Sequence, residues 1–295
     1  MSRALGDNGE RTVCAGANAL MCERAPLPAA AQTGARGGFG VAAVANENRF
    51  EADASAQMEL MVADLARMYR ERNAALDEVA RAHHEALLRL ALAADFKDDD
   101  TGVHIVRIGF LSEALALLLG QDRAWADMLR KAAPMHDIGK IGIPDCVLKK
   151  PGALDPGERQ VMNRHSEIGA QILGRSRIAL FQLAAEVALS HHERFDGSGY
   201  PGGLAGAAIP LSGRIVAVAD FFDALTMDRV YRRAFSDEVA LTMLAQQRGL
   251  AFDPRVVDAF LDHAPALIAL RDDVNHRRPS FDALVLGDPR AGEFA

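Results

Sequence analysis

The chain is poor in cysteine, tryptophan and tyrosine, with three, one and three of them among 295 residues. Cys14, Cys22 and Cys146 form no Cys-x-x-Cys spacing, and an odd number argues against a disulfide framework. The expected compartment is therefore the reducing cytoplasm. Aromatic residues make up only 6% of the chain although hydrophobic residues make up 49%. That balance suits an Ala/Leu-rich helical protein better than a β protein. No apolar run is long enough to cross a bilayer, so no membrane span is expected. Residues 1–24, interrupted by Asp7, Glu10 and Arg11, lack the apolar core of a signal peptide. Nor is there an excess of positive charge. A formal net charge of −7 gives no general affinity for nucleic acid polymers or anionic membranes. Any anionic ligand must be held by local cations or metal ions.

Residues 1–50 are rich in Ala and Gly without sustained periodicity and are expected to form a disordered extension. Over 51–94 apolar residues recur in steps of four and three at Met58, Val62, Leu65, Tyr69, Leu76, Val79 and Leu90, with Arg72 and His83 interrupting. This heptad seam predicts a long amphipathic helix. It would pack on its own domain or form one strand of a parallel coiled coil, which would make the chain a homodimer. His83-His84 is expected to be structural. Residues 95–270 read as successive helices and as the main domain. Val103–Leu119 is expected to be amphipathic, Leu180–His191 and Ile215–Ala219 to be buried helix, and Val161–Leu173 to be one helix carrying His165. Ser236 before Asp237-Glu238, and Asp253 before Pro254, are helix starts. Residues 271–295 are expected to be a charged tail. The fold class is all-α, a helical bundle preceded by a long helix.

Chemistry concentrates at His136-Asp137 and in the run from His191 to Pro201. Asp100 and His104, four apart, share a face at the start of a helix. Asp220 lies in an apolar run, where an unpaired charge is too costly. A lone histidine on a helix is usually a hydrogen-bonded surface or core residue, and His263 and His276 are read so. A lone buried aspartate is usually a cap or an ion-pair partner. Imidazoles and carboxylates gathered at helix ends and apolar faces suit iron, manganese, zinc or nickel, and there are enough of them here for two sites. Two such ions can share a bridging hydroxide as nucleophile and clamp a phosphodiester. Lys140, four residues after His136, is placed to hold a phosphate oxygen, or else is a solvated surface lysine. In Asp196–Pro201 the glycines permit tight turns, and Tyr200 would pack on a base or brace the loop.

Together these segments resemble the HD-GYP domain, a subgroup of the HD phosphohydrolase superfamily. The likeness rests on Asp100 to His104, His136 to Asp145, Leu148 to Leu154, His165 to Gly169, His191 to Pro201 and Gly213 to Thr226. It implies an HD-type all-α bundle and a metal-dependent phosphodiesterase. Such an enzyme opens cyclic di-GMP, a bacterial second messenger, to pGpG and onward to GMP. It further implies two or three divalent ions, iron or manganese, held by His104, His136, Asp137, His165, His191, His192 and Asp220, with Asp137 bridging. Asp100 stands where some members place a carboxylate for a third ion. Asp137 and Lys140 would be catalytic, and Lys140, Tyr200, Arg229 and Arg232 would meet the substrate. One departure is Gly249-Leu250-Ala251, where the family often ends in His; the lost histidine is read as a packing residue. Two alternatives remain within the resemblance: a phosphodiesterase for another cyclic dinucleotide such as cyclic GMP-AMP, and a non-catalytic receptor. The receptor would bind the dinucleotide, a diguanylate cyclase or another signalling protein. A (p)ppGpp- or dNTP-type hydrolase fits the GYP run poorly.

Overall fold

The computed structural model describes residues 39–97, 103–228, 233–278, 283–284, 287 and 294. Among them are eleven α-helices and no strand: α1 Phe39–Lys97, α2 Val103–Leu118, α3 Arg123–Ala132, α4 Asp145–Leu148, α5 Pro156–Asn163, α6 His165–Leu173, α7 Ala179–Ser190, α8 Leu211–Thr226, α9 Asp237–Gln246, α10 Pro254–Asp262 and α11 Ala264–Arg277. The all-α class expected from composition holds. No helix among the described residues is long and apolar enough to cross a membrane.

The chain divides into two units, residues 1–67 and 68–295. The described part of the first is helical and leaves Met58, Val62 and Leu65 at least 51% exposed. In the second unit, the end of α1 turns Leu87, Leu88, Ala91 and Ala94 into the core.

The centre of that core is α2. Every residue from His104 to Leu117 is buried, so the helix is enclosed on all sides rather than amphipathic as its sequence suggested. It packs against α3, α8 and α11. Its two charged residues are satisfied internally: Arg107 pairs with Asp223, and Glu113 with Arg130. Enclosure is therefore compatible with two charged residues in an otherwise apolar helix, because their partners arrive from other helices.

Local signals set the ends of several helices. Asp155 and Glu158 form a reciprocal capping box at α5. Ser236 accepts the Val239 N–H at α9, and Asp253 accepts the Arg255 N–H ahead of Pro254 at α10. Three boundaries differ from expectation. The first helix, α1, begins at Phe39, inside the stretch 1–50 expected to be a disordered extension, the rest of which lies outside the described residues. The expected Val161–Leu173 helix breaks at Arg164, so His165 begins a new helix. At the other end, α11 runs past residue 270 to Arg277 because Arg271 and Val274 are buried, with Arg271 bonded to Asp237.

Candidate metal centre

Five segments bring the histidines and aspartates together: α2 carries His104, the turn after Met135 carries His136 and Asp137, α6 opens with His165, the end of α7 leads into His191 and His192, and α8 carries Asp220. Two glycines allow the approach. A Cβ on Gly139 would stand 1.9 Å from the His165 carbonyl oxygen, so only glycine lets the Asp137 segment lie on α6. A Cβ on Gly213 would stand 2.2 Å from Ser190 Oγ, where α8 meets the end of α7.

The side chains form two groups, Asp137 with His165, His191 and His192, and His104 with His136 and Asp220, each with ligand atoms within 4.8 Å of one another. Asp137 faces both. Its Oδ1 lies 3.3 Å from His165 Nε2 and 3.7 Å from His191 Nε2, while its Oδ2 lies 3.3 Å from His136 Nε2. Asp220 Oδ1 lies 3.6 Å from His104 Nε2 and 4.0 Å from His136 Nε2.

Hydrogen bonds at the far side of the rings set their orientation. Nδ1 of His136 donates to the Ala133 carbonyl at 3.0 Å, that of His165 to Met162 at 2.8 Å, and that of His191 to Ala188 at 3.0 Å. A carbonyl can only accept, so each Nδ1 carries the proton and each Nε2 faces the cluster. His104 Nδ1 lies 2.7 Å from Asp223 Oδ2, and Arg107 grips the same carboxylate, 2.8 Å from its Nη2. This outer arrangement is the usual support of a metal-binding histidine.

The inner atoms call for positive charge. His165 Nε2 and His191 Nε2 stand 3.4 Å apart, and two imidazole lone pairs at that distance repel unless a cation lies between them. His136 Nε2 and Asp137 Oδ1 are buried without a hydrogen-bond partner, a state that costs free energy unless an ion or water satisfies it. Burial pushes His165 down to about 4 and His192 well below its usual range, so both are neutral donors of a lone pair. Burial opposes charge on Asp137, yet Lys140 and His136 hold its carboxyl well below the usual range. Burial likewise opposes a proton on His104, but Asp223 outweighs it and raises His104 to about 9. A metal ion held by the second group would therefore have to displace that proton. The donor set fits divalent cations.

Around the cluster, Lys140 Nζ lies 2.8 Å from Asp137 Oδ2. The Tyr200 ring leans on His192, centroids 4.8 Å apart. Glu193 fastens the glycine-rich loop by accepting the N–H groups of Gly202 and Leu204 at 2.6 and 2.9 Å. Lys97, the last residue of α1, donates to the carbonyls of Ile141 and Ile143 at 3.0 and 2.7 Å, clasping the segment that carries Lys140.

Of the residues singled out from sequence, His104, His136, Asp137, Lys140, His165, His191, His192, Tyr200 and Asp220 meet here. Asp100, Arg229 and Arg232 lie outside the described residues. Sequence reasoning missed Asp223 and Arg107. Asp223 sits three residues after Asp220 in the same apolar helix, so the argument that a buried carboxylate needs a partner applied to it equally. The histidine lost at Ala251 was read as a packing residue; Ala251 belongs to the hydrophobic core and also lines a cavity shared with His191, His192 and Asp220.

Residues 60–256 match the family described as HD domain. The chain belongs to the HD domain family. The resemblance read from its motifs holds at that level, and the matched stretch contains every member of the two groups. This HD domain is 45% identical over 187 residues to 3′3′-cGAMP-specific phosphodiesterase 2 of Vibrio cholerae, covering 63% of this chain and 36% of that protein. It is 48% identical over 188 residues to the cyclic di-GMP phosphodiesterase response regulator RpfG of Xanthomonas campestris, covering 64% and 50%. It is 46% identical over 177 residues to a cyclic di-GMP phosphodiesterase of Thermotoga maritima, covering 60% and 48%. The chain thus spans half or less of the length of these relatives. Among solved structures, the cyclic GMP-AMP specific phosphodiesterase V-cGAP3 of V. cholerae shares the HD fold, with a TM-score of 0.52 at 21% identity over 66% of this chain and 52% of that one.

Proposed function

We propose that this HD domain is a metal-dependent phosphodiesterase that opens cyclic di-GMP. The observation that carries the reading is the convergence of imidazole Nε2 atoms on both oxygens of one ionised aspartate, Asp137, with their Nδ1 protons held on the outside. The names of the relatives, cyclic di-GMP and 3′3′-cGAMP phosphodiesterases, support the substrate class.

His165, His191, His192 and Asp137 would hold one divalent ion and His104, His136 and Asp220 another, iron or manganese being suited to this mixed set. When bound, such ions supply Lewis acidity at the phosphoryl oxygens and an activated water. Asp137, with one oxygen toward His165 and His191 and the other toward His136, would contribute to holding both ions. Lys140, paired with Asp137 at 2.8 Å, can swing its ammonium onto a non-bridging phosphate oxygen and neutralise the charge that builds there. Tyr200, half-buried against His192, lines the adjoining cavity and is placed to meet the substrate. Attack of water on one phosphorus with loss of the 3′ oxygen opens the ring to pGpG, and a second hydrolysis yields GMP. Arg229 and Arg232 are proposed substrate contacts by resemblance, and Asp100 a carboxylate for a third ion.

A second reading is hydrolysis of 3′3′-cGAMP, favoured by the 45% identity to a Vibrio enzyme named for it. We further place the protein in the cytoplasm and read α1 as a homodimer helix, since Leu65, Tyr69, Leu76 and Val79 remain at least 50% exposed at heptad spacing. A cyclase or another signalling protein would then act through the same assembly.

The test is turnover of cyclic di-GMP and 3′3′-cGAMP by metal-loaded protein, with products separated by chromatography. Formation of pGpG, abolished in His136→Ala and Asp137→Ala, is expected. Tight dinucleotide binding without cleavage in metal-replete protein would turn the reading to a receptor.

A further inference from the structure

A cavity of about 470 Å³ adjoins the cluster, and part of its lining has no task in phosphodiester chemistry. His191, His192, Asp220 and Tyr200 belong to the site already described. The remainder includes Phe221, Phe252, Ala251 and Gln247. The two phenylalanine rings lie 4.9 Å apart and tilted by 55°, Phe221 half-buried and Phe252 buried, and both form apolar wall of the cavity. Ala251 offers only a methyl group, so the space beside those rings stays open. Gln247 is half-buried, and its side-chain amide makes no hydrogen bond among the described residues. An amide in such a place keeps both a donor and an acceptor available.

The backbone beneath is firmly held. The Gln247 carbonyl accepts the N–H groups of Leu250 at 3.1 Å and Phe252 at 3.2 Å. The same turn is joined to the glycine-rich loop, because the N–H groups of Phe195 and Asp196 donate to Ala251 at 3.0 Å and to Leu250 at 2.8 Å. An aromatic wall, an open volume and one unfilled amide on a fixed turn are what a nucleobase needs: a face to pack on and an edge to bond.

We propose that Gln247 reads the hydrogen-bonding edge of one purine of the cyclic dinucleotide, with the base packed on Phe221 and Phe252 in the space left by Ala251. The proposal rests on the phosphodiesterase reading of the adjoining cluster. Guanine offers the acceptor O6 beside the donor N1–H, and the amide meets both, Nε2 donating and Oε1 accepting. Adenine offers the donor N6–H beside the acceptor N1, and the amide meets both after a half-turn of its terminal bond. Glutamine at this position therefore admits either purine. A carboxylate only accepts. It would take N1–H and N2–H of guanine but face the N1 lone pair of adenine.

The test compares the wild-type chain, Gln247→Ala, Gln247→Glu and Ala251→Phe. Each metal-loaded protein is assayed on cyclic di-GMP, cyclic di-AMP and the base-free diester bis(p-nitrophenyl) phosphate. Binding of cyclic di-GMP is measured in parallel by calorimetry. Gln247→Ala and Ala251→Phe are expected to raise KM and Kd for cyclic di-GMP about tenfold, well beyond any change on the base-free diester. Gln247→Glu is expected to raise the preference for cyclic di-GMP over cyclic di-AMP about ten- to a hundredfold, the scale of one bidentate base contact. Unchanged KM, Kd and preference overturn the proposal, as does a parallel loss on the base-free diester. If no diester is cleaved, the phosphodiesterase reading fails, and the calorimetric comparison of wild type with Gln247→Ala still decides whether this residue holds the base.

Discussion

At the scale of single residues, Asp223 shows how much of the site lies outside the two groups of His and Asp. Its carboxylate holds His104 Nδ1 at 2.7 Å and is itself held by Arg107. Burial would push its pKa up, but the bonds to Arg107 and His104 bring it down to about 2, so it stays charged. Asp223→Asn removes the charge while keeping the shape. It is expected to weaken metal affinity by roughly ten- to a hundredfold, the usual effect of losing such an outer partner, measured by chelator competition. An unchanged affinity would mean that Asp223 serves only Arg107. That seven His and Asp side chains would gather was legible because, at helix ends and on apolar faces, they have no inexpensive structural explanation. Asp223 and Arg107 were not, because the sequence does not say that positions 116 apart meet.

At the scale of elements, the site depends on close passage between segments. Gly139 lies so near the His165 carbonyl that a methyl group must push backbone against backbone. Gly139→Ala is expected to destabilise the domain by about 1–3 kcal/mol and to lower metal content with it, read from denaturant midpoints and metal analysis of the same samples. A second element-scale prediction concerns α1. His84 is 4% exposed beside α3, and burial, then Lys131 and Arg130, lower its pKa to about 4, with Asp127 opposing. The unfolded chain takes up that proton near pH 6.5 and the folded one only near 4, so between these values the unfolded state binds more protons and stability falls as pH falls. His84→Leu is expected to remove about 1–2 kcal/mol of the stability change between pH 7 and pH 5. An equal slope in both proteins would contradict the assignment. Helix existence was well marked by capping residues and apolar runs, whereas the break at Arg164 and the enclosure of α2 depend on neighbours that local patterning does not reveal.

At the scale of the whole molecule, α1 links two roles. Its apolar seam is exposed, and we read it as a surface for a second copy, while Lys97 at its end holds the carbonyls around the Lys140 segment. If the seam pairs, sedimentation equilibrium should give a dimer, and Leu65→Asp with Leu76→Asp should give a monomer with the same helical domain. A monomeric wild type across the concentration range would remove that role. The family was readable from the sequence because the site motifs fall within one matched stretch of 197 residues, 60 through 256. Purine choice was not, since the cavity wall at Gln247, Ala251 and Phe252 assembles from a turn with no motif pointing to it.

We propose that Asp137 joins two metal sites. This is tested most directly by metal content per chain in wild type and Asp137→Ala, purified anaerobically and supplied with iron or manganese. At least two ions per chain are expected in the wild type, one for each group, and loss from both groups in the variant. A wild type that takes up no metal, or a variant that keeps the full complement, would contradict the account.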